Sequence, residues 1–178
     1  MTHSHLRASS RQGPLSRFTV IDASRVRAGP TAVRWFADLG ARVIKLEIPR
    51  GAPGGDDFIG GANHDRPDYL NLHRNKESVT LNLKTPEGVE ILRRLVSEAD
   101  VFIENYRPDV KYRLGIDYDS LKAINPRLVY ASISGFGQDG PYSRRPGFDS
   151  IAQGMGGLMS VTGKPGDEPL RVGIPIAD

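Results

Sequence analysis

Residues 18–47 read FTVIDASRVRAGPTAVRWFADLGARVIKLE, and the periodicity changes twice along them. FTVID (18–22) is a short β-branched run ending in an acid. After Gly29-Pro30, TAVRWFADLG (31–40) has the pattern of a helix closed by Gly40, and ARVIKLE (41–47) returns to a strand. Strand, helix and strand within so short a stretch predict a βαβ unit, because parallel strands pair only through such a crossover.

The alternation continues outward. Residues 48–67 (IPRGAPGGDDFIGGANHDRP) are rich in glycine and proline and read as a long surface loop, of the kind that tends to carry function. SVTLNL (78–83) alternates strictly, as a strand does. Thr85-Pro86-Glu87 then supplies an N-cap, a first-turn proline and a first-turn acid to a helix through Asp100, whose apolar face is Val89, Leu92, Val96 and Ala99. VFIEN (101–105) and LVYASI (128–133) are further strands, with short helices near 108–114 and 117–124. Five strands alternating with helices predict an α/β fold, a Rossmann-like, doubly wound, mostly parallel sheet. Beyond Ser134 come a glycine-rich loop, a helix over IAQGMGGLMSVTG (151–163) and a proline-spaced segment that stops on the strand-like run GIPIAD (173–178).

Composition narrows the chemistry. Among 178 residues there is no cysteine, which excludes disulfides, thiolate zinc sites, iron–sulfur clusters and a cysteine nucleophile. No apolar run approaches the length of a membrane span, so no membrane partner is expected. Arg7, Arg11 and Arg17 fall in an acid-free opening stretch, and the remainder balances its basic and acidic side chains, which is not the footprint of a nucleic-acid binder. Residues 1–17 are expected to be a disordered tail, and the alternative is an Arg/Ser-rich transit peptide. A cytoplasmic setting fits the absent cysteine.

Several residues invite chemical readings. Glu47, 18 residues after Gly29, stands where a dinucleotide fold places its ribose-binding acid, but the first turn (SRVRAGP, 24–30) has one glycine where that fingerprint needs three. By spacing alone Glu47 is a solvated strand end. None of the four histidines has a partner at metal-binding spacing, and their expected role is surface or local hydrogen bonding; no metal is expected. Arg74, Lys76, Lys84, Arg107 and Arg113 flank strand ends, where by position they suit phosphate clamps, but the favoured reading is the solvated charges that any helical surface shows. SGFGQDGP (134–141) and GMGG (154–157) offer unblocked backbone N–H groups that an oxyanion or thioester would need.

Seven segments in order resemble the class III CoA-transferase (CaiB/BaiF) family, which includes formyl-CoA transferase, succinyl-CoA-dependent dicarboxylate CoA-transferases and α-methylacyl-CoA racemase. They are VIDASRVRAGP (20–30), DLGARVIKLE (38–47), HRNKESVTLNLKTPEG (73–88), ADVFIENYRP (99–108), INPRLVYASISGFGQDGP (124–141), PGFDSIAQGMGGLMSVTG (146–163) and GIPIAD (173–178). The resemblance implies that residues 18–178 form a CoA-binding α/β domain, the amino-terminal portion of a longer enzyme that acts as an interlocked homodimer. It implies Asp178 as the nucleophile that attacks an acyl-CoA thioester. CoA contacts are implied near Arg27 and Ala28, at Asn75 and Lys76, at Asn105 and Tyr106, and at Arg113. Two departures from formyl-CoA transferase stand out: Arg27 replaces a glutamine, and Ile48 replaces the arginine after Glu47. They argue against formate as the acid and move the adenine contact to Arg50. The resemblance implies acyl-CoA and a carboxylic acid acceptor as partners. An inactive remnant or a CoA-binding module is the alternative. Racemisation is disfavoured because Gly147-Phe148-Asp149 stands where the racemases have Gly-His-Asp, and phenylalanine cannot serve as an acid or base.

Overall fold

The computed structural model describes residues 12–49, 51 and 67–177; Arg50 and Asp178 lie outside the described residues. The chain divides into two compact units, Met1–Ser132 and Ile133–Asp178.

The first unit holds β1 (Thr19–Asp22), α1 (Ala28–Asp38), β2 (Arg42–Glu47), α2 (Pro67–His73), β3 (Glu77–Thr80), α3 (Pro86–Ser97), β4 (Val101–Glu104), α4 (Pro108–Leu114), α5 (Tyr118–Lys122) and β5 (Val129–Ser132). The five strands pair in parallel throughout, in the order β3-β2-β1-β4-β5. This is the expected Rossmann-like sheet, entered at its centre by β1 and built outward first on one side, then on the other. Its core gathers Ile21, Phe102, Leu92, Val96, Ile116 and Leu121, all fully buried.

Most boundaries follow the local signals. The Thr85 hydroxyl accepts from the Gly88 N–H at 3.2 Å, Pro86 opens α3, and Leu92 and Val96 line its buried face. Three boundaries differ. α1 begins at Ala28, three residues earlier than the pattern suggests, because a proline in the first turn gives up no helical hydrogen bond; the Thr31 N–H already bonds the Arg27 carbonyl at 2.9 Å. β3 stops at Thr80 and not at 83: β2 ends at Glu47, and the chain turns where the Thr85 N–H meets the Asn82 carbonyl at 3.1 Å. α2 is a helix that the loop-like composition before it concealed.

Residues 12–17, expected within the disordered tail, run as turns, with the Leu15 N–H bonded to the Leu39 carbonyl at 3.1 Å.

The second unit contains α6 (Asp149–Met155) and a short 3-10 turn, Leu158–Val161. The continuous helix expected over 151–163 is broken at Gly157, which takes φ 81°. Of the strand-like run 173–178, residues 173–177 form no strand, and Asp178 lies outside the described residues.

Candidate active site

In an open parallel sheet, ligands bind beyond the carboxyl ends of the strands, at the point where the strand order reverses. Here that point lies between β1 and β4. The turn from β1 into α1 is tied down from several sides. The Asp22 carboxylate accepts from the Ser24 N–H at 3.0 Å and from the Ser24 hydroxyl. The Lys45 ammonium, projecting from β2, donates to the Ser24 carbonyl. From β4, the Asn105 amide brackets Arg25: its oxygen accepts the Arg25 N–H at 2.8 Å and its nitrogen donates to the Arg25 carbonyl at 2.7 Å. Lys76 donates to Asp22 at 2.9 Å and to the Pro30 carbonyl at 3.2 Å. Within this frame Val26 adopts φ 66°, a left-handed conformation costing a β-branched residue about 1–3 kcal/mol. Gly29 is required for a different reason: a Cβ there would lie 2.2 Å from the Ser24 Cβ.

The charges of this frame are buried. The Asp22 and Lys76 side chains are 0% and 1% exposed. Burial alone would raise the Asp22 carboxyl, but Lys45 and Lys76 beside it hold it below the ordinary carboxylate range. Burial pushes both lysines down, against the pull of Asp22. His73, at the end of α2, lies 3.4 Å from the Lys76 ammonium through Nδ1 and stacks at a tilt on Tyr69. Burial, reinforced by Lys45 and Lys76, lowers its pKa to about 3, so the ring is neutral and accepts from Lys76. Glu47 is not a bare strand end: its carboxylate accepts from the Tyr69 hydroxyl and from Ser78 Oγ at 2.8 Å.

A second polar cluster sits at the ends of β4 and β5. Glu104, fully buried, accepts from the Tyr106 N–H at 2.7 Å, Lys111 at 3.3 Å and the Ser132 hydroxyl. Tyr130 donates to the Ile116 carbonyl at 2.9 Å, and burial together with Glu104 raises its phenol. Sequence alone gave no sign of this cluster, since Lys111 and Ser132, which meet at 2.9 Å, lie 21 residues apart along the chain.

The residues implied as CoA contacts separate into two groups. Arg27, Ala28, Lys76, Asn105 and Tyr106 gather around the β1–α1 turn. Arg27 precedes α1 and pairs with Asp68 at 2.8 Å; Tyr106 is packed against the core, and burial raises its phenol. Asn75, at φ 62°, turns the other way and donates to Asp38 at 3.1 Å, where Arg74 also binds. Arg113 is exposed on α4. Arg50 and Asp178 lie outside the described residues.

In the second unit the glycines serve closeness as well as N–H access: a Cβ on Gly135 would fall 2.4 Å from the Gly147 Cα, so the two loop backbones cross only because neither carries a side chain. Phe148 is 57% exposed. Among the described residues no group of three or more histidine and acidic side chains could hold a metal ion, and no helix is long and apolar enough to cross a membrane.

The chain is thus an α/β protein with an all-parallel sheet and a braced, cation-rich turn at its switch point, the place where open sheets of this class take their ligands. Residues 15–178 match the sequence profile of CoA-transferase family III. Over 179 residues the chain is 46% identical to the succinate–glutarate CoA-transferase of Agrobacterium fabrum, covering 95% of this chain and 44% of that protein. It is 41% identical over 172 residues to human succinyl-CoA:glutarate CoA-transferase, covering 93% of this chain and 38% of that one. The crystal structure of a CaiB/BaiF family protein from Brucella suis superposes with a TM-score of 0.79 at 43% identity, over 92% of this chain and 44% of that one. The chain therefore belongs to CoA-transferase family III, and it spans less than half the length of these relatives.

Proposed function

We propose that this chain is the amino-terminal part of a CoA-transferase that moves CoA from an acyl-CoA thioester to a carboxylic acid, with Asp178 as the nucleophile. The observation that carries this reading is the match to family III across residues 15–178, together with relatives whose names specify CoA transfer. A carboxylate oxygen of Asp178 attacks the thioester carbonyl, the C–S bond breaks, and CoA leaves as thiolate while a mixed anhydride forms. The thiolate then attacks the aspartyl carbonyl of that anhydride, releasing the donor acid and leaving CoA as a thioester on Asp178. The acceptor carboxylate reverses the two steps. Every atom and charge is conserved, so the cycle needs no redox partner. Because a carboxylate is a weak nucleophile, positioning and backbone donors to the oxyanion must supply much of the rate.

CoA is the substrate held at the β1–α1 turn, with Arg27 answering its phosphates, Arg50 taking the adenine contact, and Arg113 and Asn75 farther along the edge. Lys76 shapes that turn through Asp22 and the Pro30 carbonyl. The names of the two relatives favour dicarboxylic acids as donor and acceptor. The complete enzyme works as a homodimer in the cytoplasm. Phe148 supports transfer over racemisation, since its ring carries no exchangeable proton. The test is to incubate the complete enzyme with acyl-CoA, trap with hydroxylamine and map the modified residue by mass spectrometry. Modification at Asp178, abolished by Asp178→Ala without loss of CoA affinity, is expected; labelling of another carboxylate refutes the assignment.

A further inference from the structure

In the second unit, apolar side chains such as Phe148, Ile151, Val161, Ile174 and Ile176 are exposed or only partly covered. The two buried residues described there are both polar: Asp149 at 7% and Gln153 at 0%, one turn apart on α6. Apart from each other, their side-chain partners lie in the segment that ends at residue 177. Asp149 Oδ1 accepts the Ala177 N–H at 3.0 Å, and Asp149 Oδ2 accepts from Gln153 Nε2 at 2.7 Å. Gln153 Oε1 accepts the Val172 N–H at 2.9 Å, while its Nε2 also reaches the Ile174 carbonyl at 3.4 Å. Arg171 approaches Asp149 at 3.9 Å, too far to count as more than a weak ion pair.

We infer that Asp149 and Gln153 are positioning residues that clamp residues 172–177 to α6 and thereby fix the backbone leading into Asp178. This deepens the function proposed above and rests on Asp178 being the nucleophile. Residues 172–177 form no strand ladder: one backbone bond, from the Ile176 N–H to the Ile174 carbonyl at 2.9 Å, lies within them, and the Val172 and Ala177 N–H groups take side-chain partners. A side-chain clamp whose polar atoms are all engaged defines one geometry, because in a buried site every alternative leaves a donor or acceptor unmade. The register is set at both ends, by Val172 and by Ala177, and the second anchor is the residue immediately before Asp178. A displacement of about 1 Å at a reacting group can cost on the order of a hundredfold in rate, so loosening this anchor is expressed in the chemical step and not in CoA binding.

The polarity of the clamp gives a sharp test. Asp149→Asn keeps an oxygen for the Ala177 N–H but turns an amide N–H toward the Gln153 amide N–H, setting donor against donor. Gln153→Glu sets acceptor against acceptor. Combined, the two substitutions exchange the partners' roles and restore a donor–acceptor pair, while the Val172 and Ala177 N–H groups keep their acceptors; only the long 3.4 Å contact from position 153 to the Ile174 carbonyl is given up. In the complete enzyme, single-turnover hydroxylamine trapping at saturating acyl-CoA is expected to slow at least tenfold in each single variant. It should recover to within about threefold of wild type in the double variant, with CoA affinity unchanged within twofold in all three. Amide hydrogen exchange supplies a readout independent of turnover: the Val172 and Ala177 amides are protected in the wild type, exposed in the single variants and protected again in the double. Unprotected amides in the wild type, single variants that trap at the wild-type rate, or a double variant no faster than the singles would each overturn the clamp. Wild-type labelling away from Asp178 would instead overturn the nucleophile reading and the positioning role with it, while the exchange data would still report whether the clamp exists.

Discussion

Acid should destabilise the first unit through His73 well before its carboxylates titrate. The folded imidazole sits at about 3, whereas an unfolded histidine lies near 6.5. Between those values the unfolded chain binds a proton that the folded chain refuses, so stability falls as pH drops below about 6.5 and keeps falling until pH approaches 3. The geometry explains the refusal. Nδ1 accepts from the Lys76 ammonium at 3.4 Å, so protonating the ring removes that hydrogen bond and sets two cations side by side. Burial of the ring is the first cause of the low value, with Lys45 next, and at an effective dielectric of about 20 the repulsion from Lys76 adds up to about 5 kcal/mol. Because the ring is partly exposed, solvent screens some of this, but the loss from pH 7 to pH 5 requires only that the folded value stay below 5. Over that interval one histidine contributes about 2 kcal/mol. Urea unfolding at pH 7 and pH 5 measures it, with His73→Gln as the comparison, since glutamine removes the titration. The wild type should lose about 2 kcal/mol more than the variant over this range. Equal losses in the two proteins would refute the reasoning.

Other outcomes follow from the same frame. Lys76→Met leaves Asp22 buried with Lys45 alone and should cost about 3–5 kcal/mol in urea unfolding, whereas Asp22→Asn with Lys76→Met together should cost less than the sum of the two singles. Asn105→Leu removes both hydrogen bonds to the Arg25 backbone and is expected to destabilise by about 1–3 kcal/mol, and to loosen the β1–α1 turn as a rise in the KM for acyl-CoA. Leu92→Ala, at a fully buried core position, should cost about 2–5 kcal/mol without altering KM. A complete enzyme held in D₂O with a 2-methylacyl-CoA and no acceptor acid should leave the α-proton in place, because Phe148 offers no base; rapid α-deuterium uptake by mass spectrometry would assign a different reaction.

The sheet was legible because its signals are local. β-branched runs, a capping threonine with proline behind it and apolar residues at helical spacing each act within a few residues, and together they admit only a parallel α/β order. α2 escaped because its helix follows a glycine-rich stretch whose composition masks it, and the early start of α1 escaped because Gly29-Pro30 reads as a stop even where it forms a first turn. Resemblance pointed to the turn at Arg27 and Ala28 and to Asn105. It did not tell that Asn105 grips the Arg25 backbone, that Lys76 is buried on Asp22, or that Asn75 faces Asp38. Those partners lie 80, 54 and 37 residues apart along the chain. The sequence by itself thus determined which segments become strands and helices, since propensity and periodicity are properties of neighbours. Only the tertiary structure decided which buried charges meet and which N–H groups Asp149 and Gln153 hold, because a hydrogen bond or an ion pair depends on distance in space, and that distance is set by how the whole sheet and its loops pack.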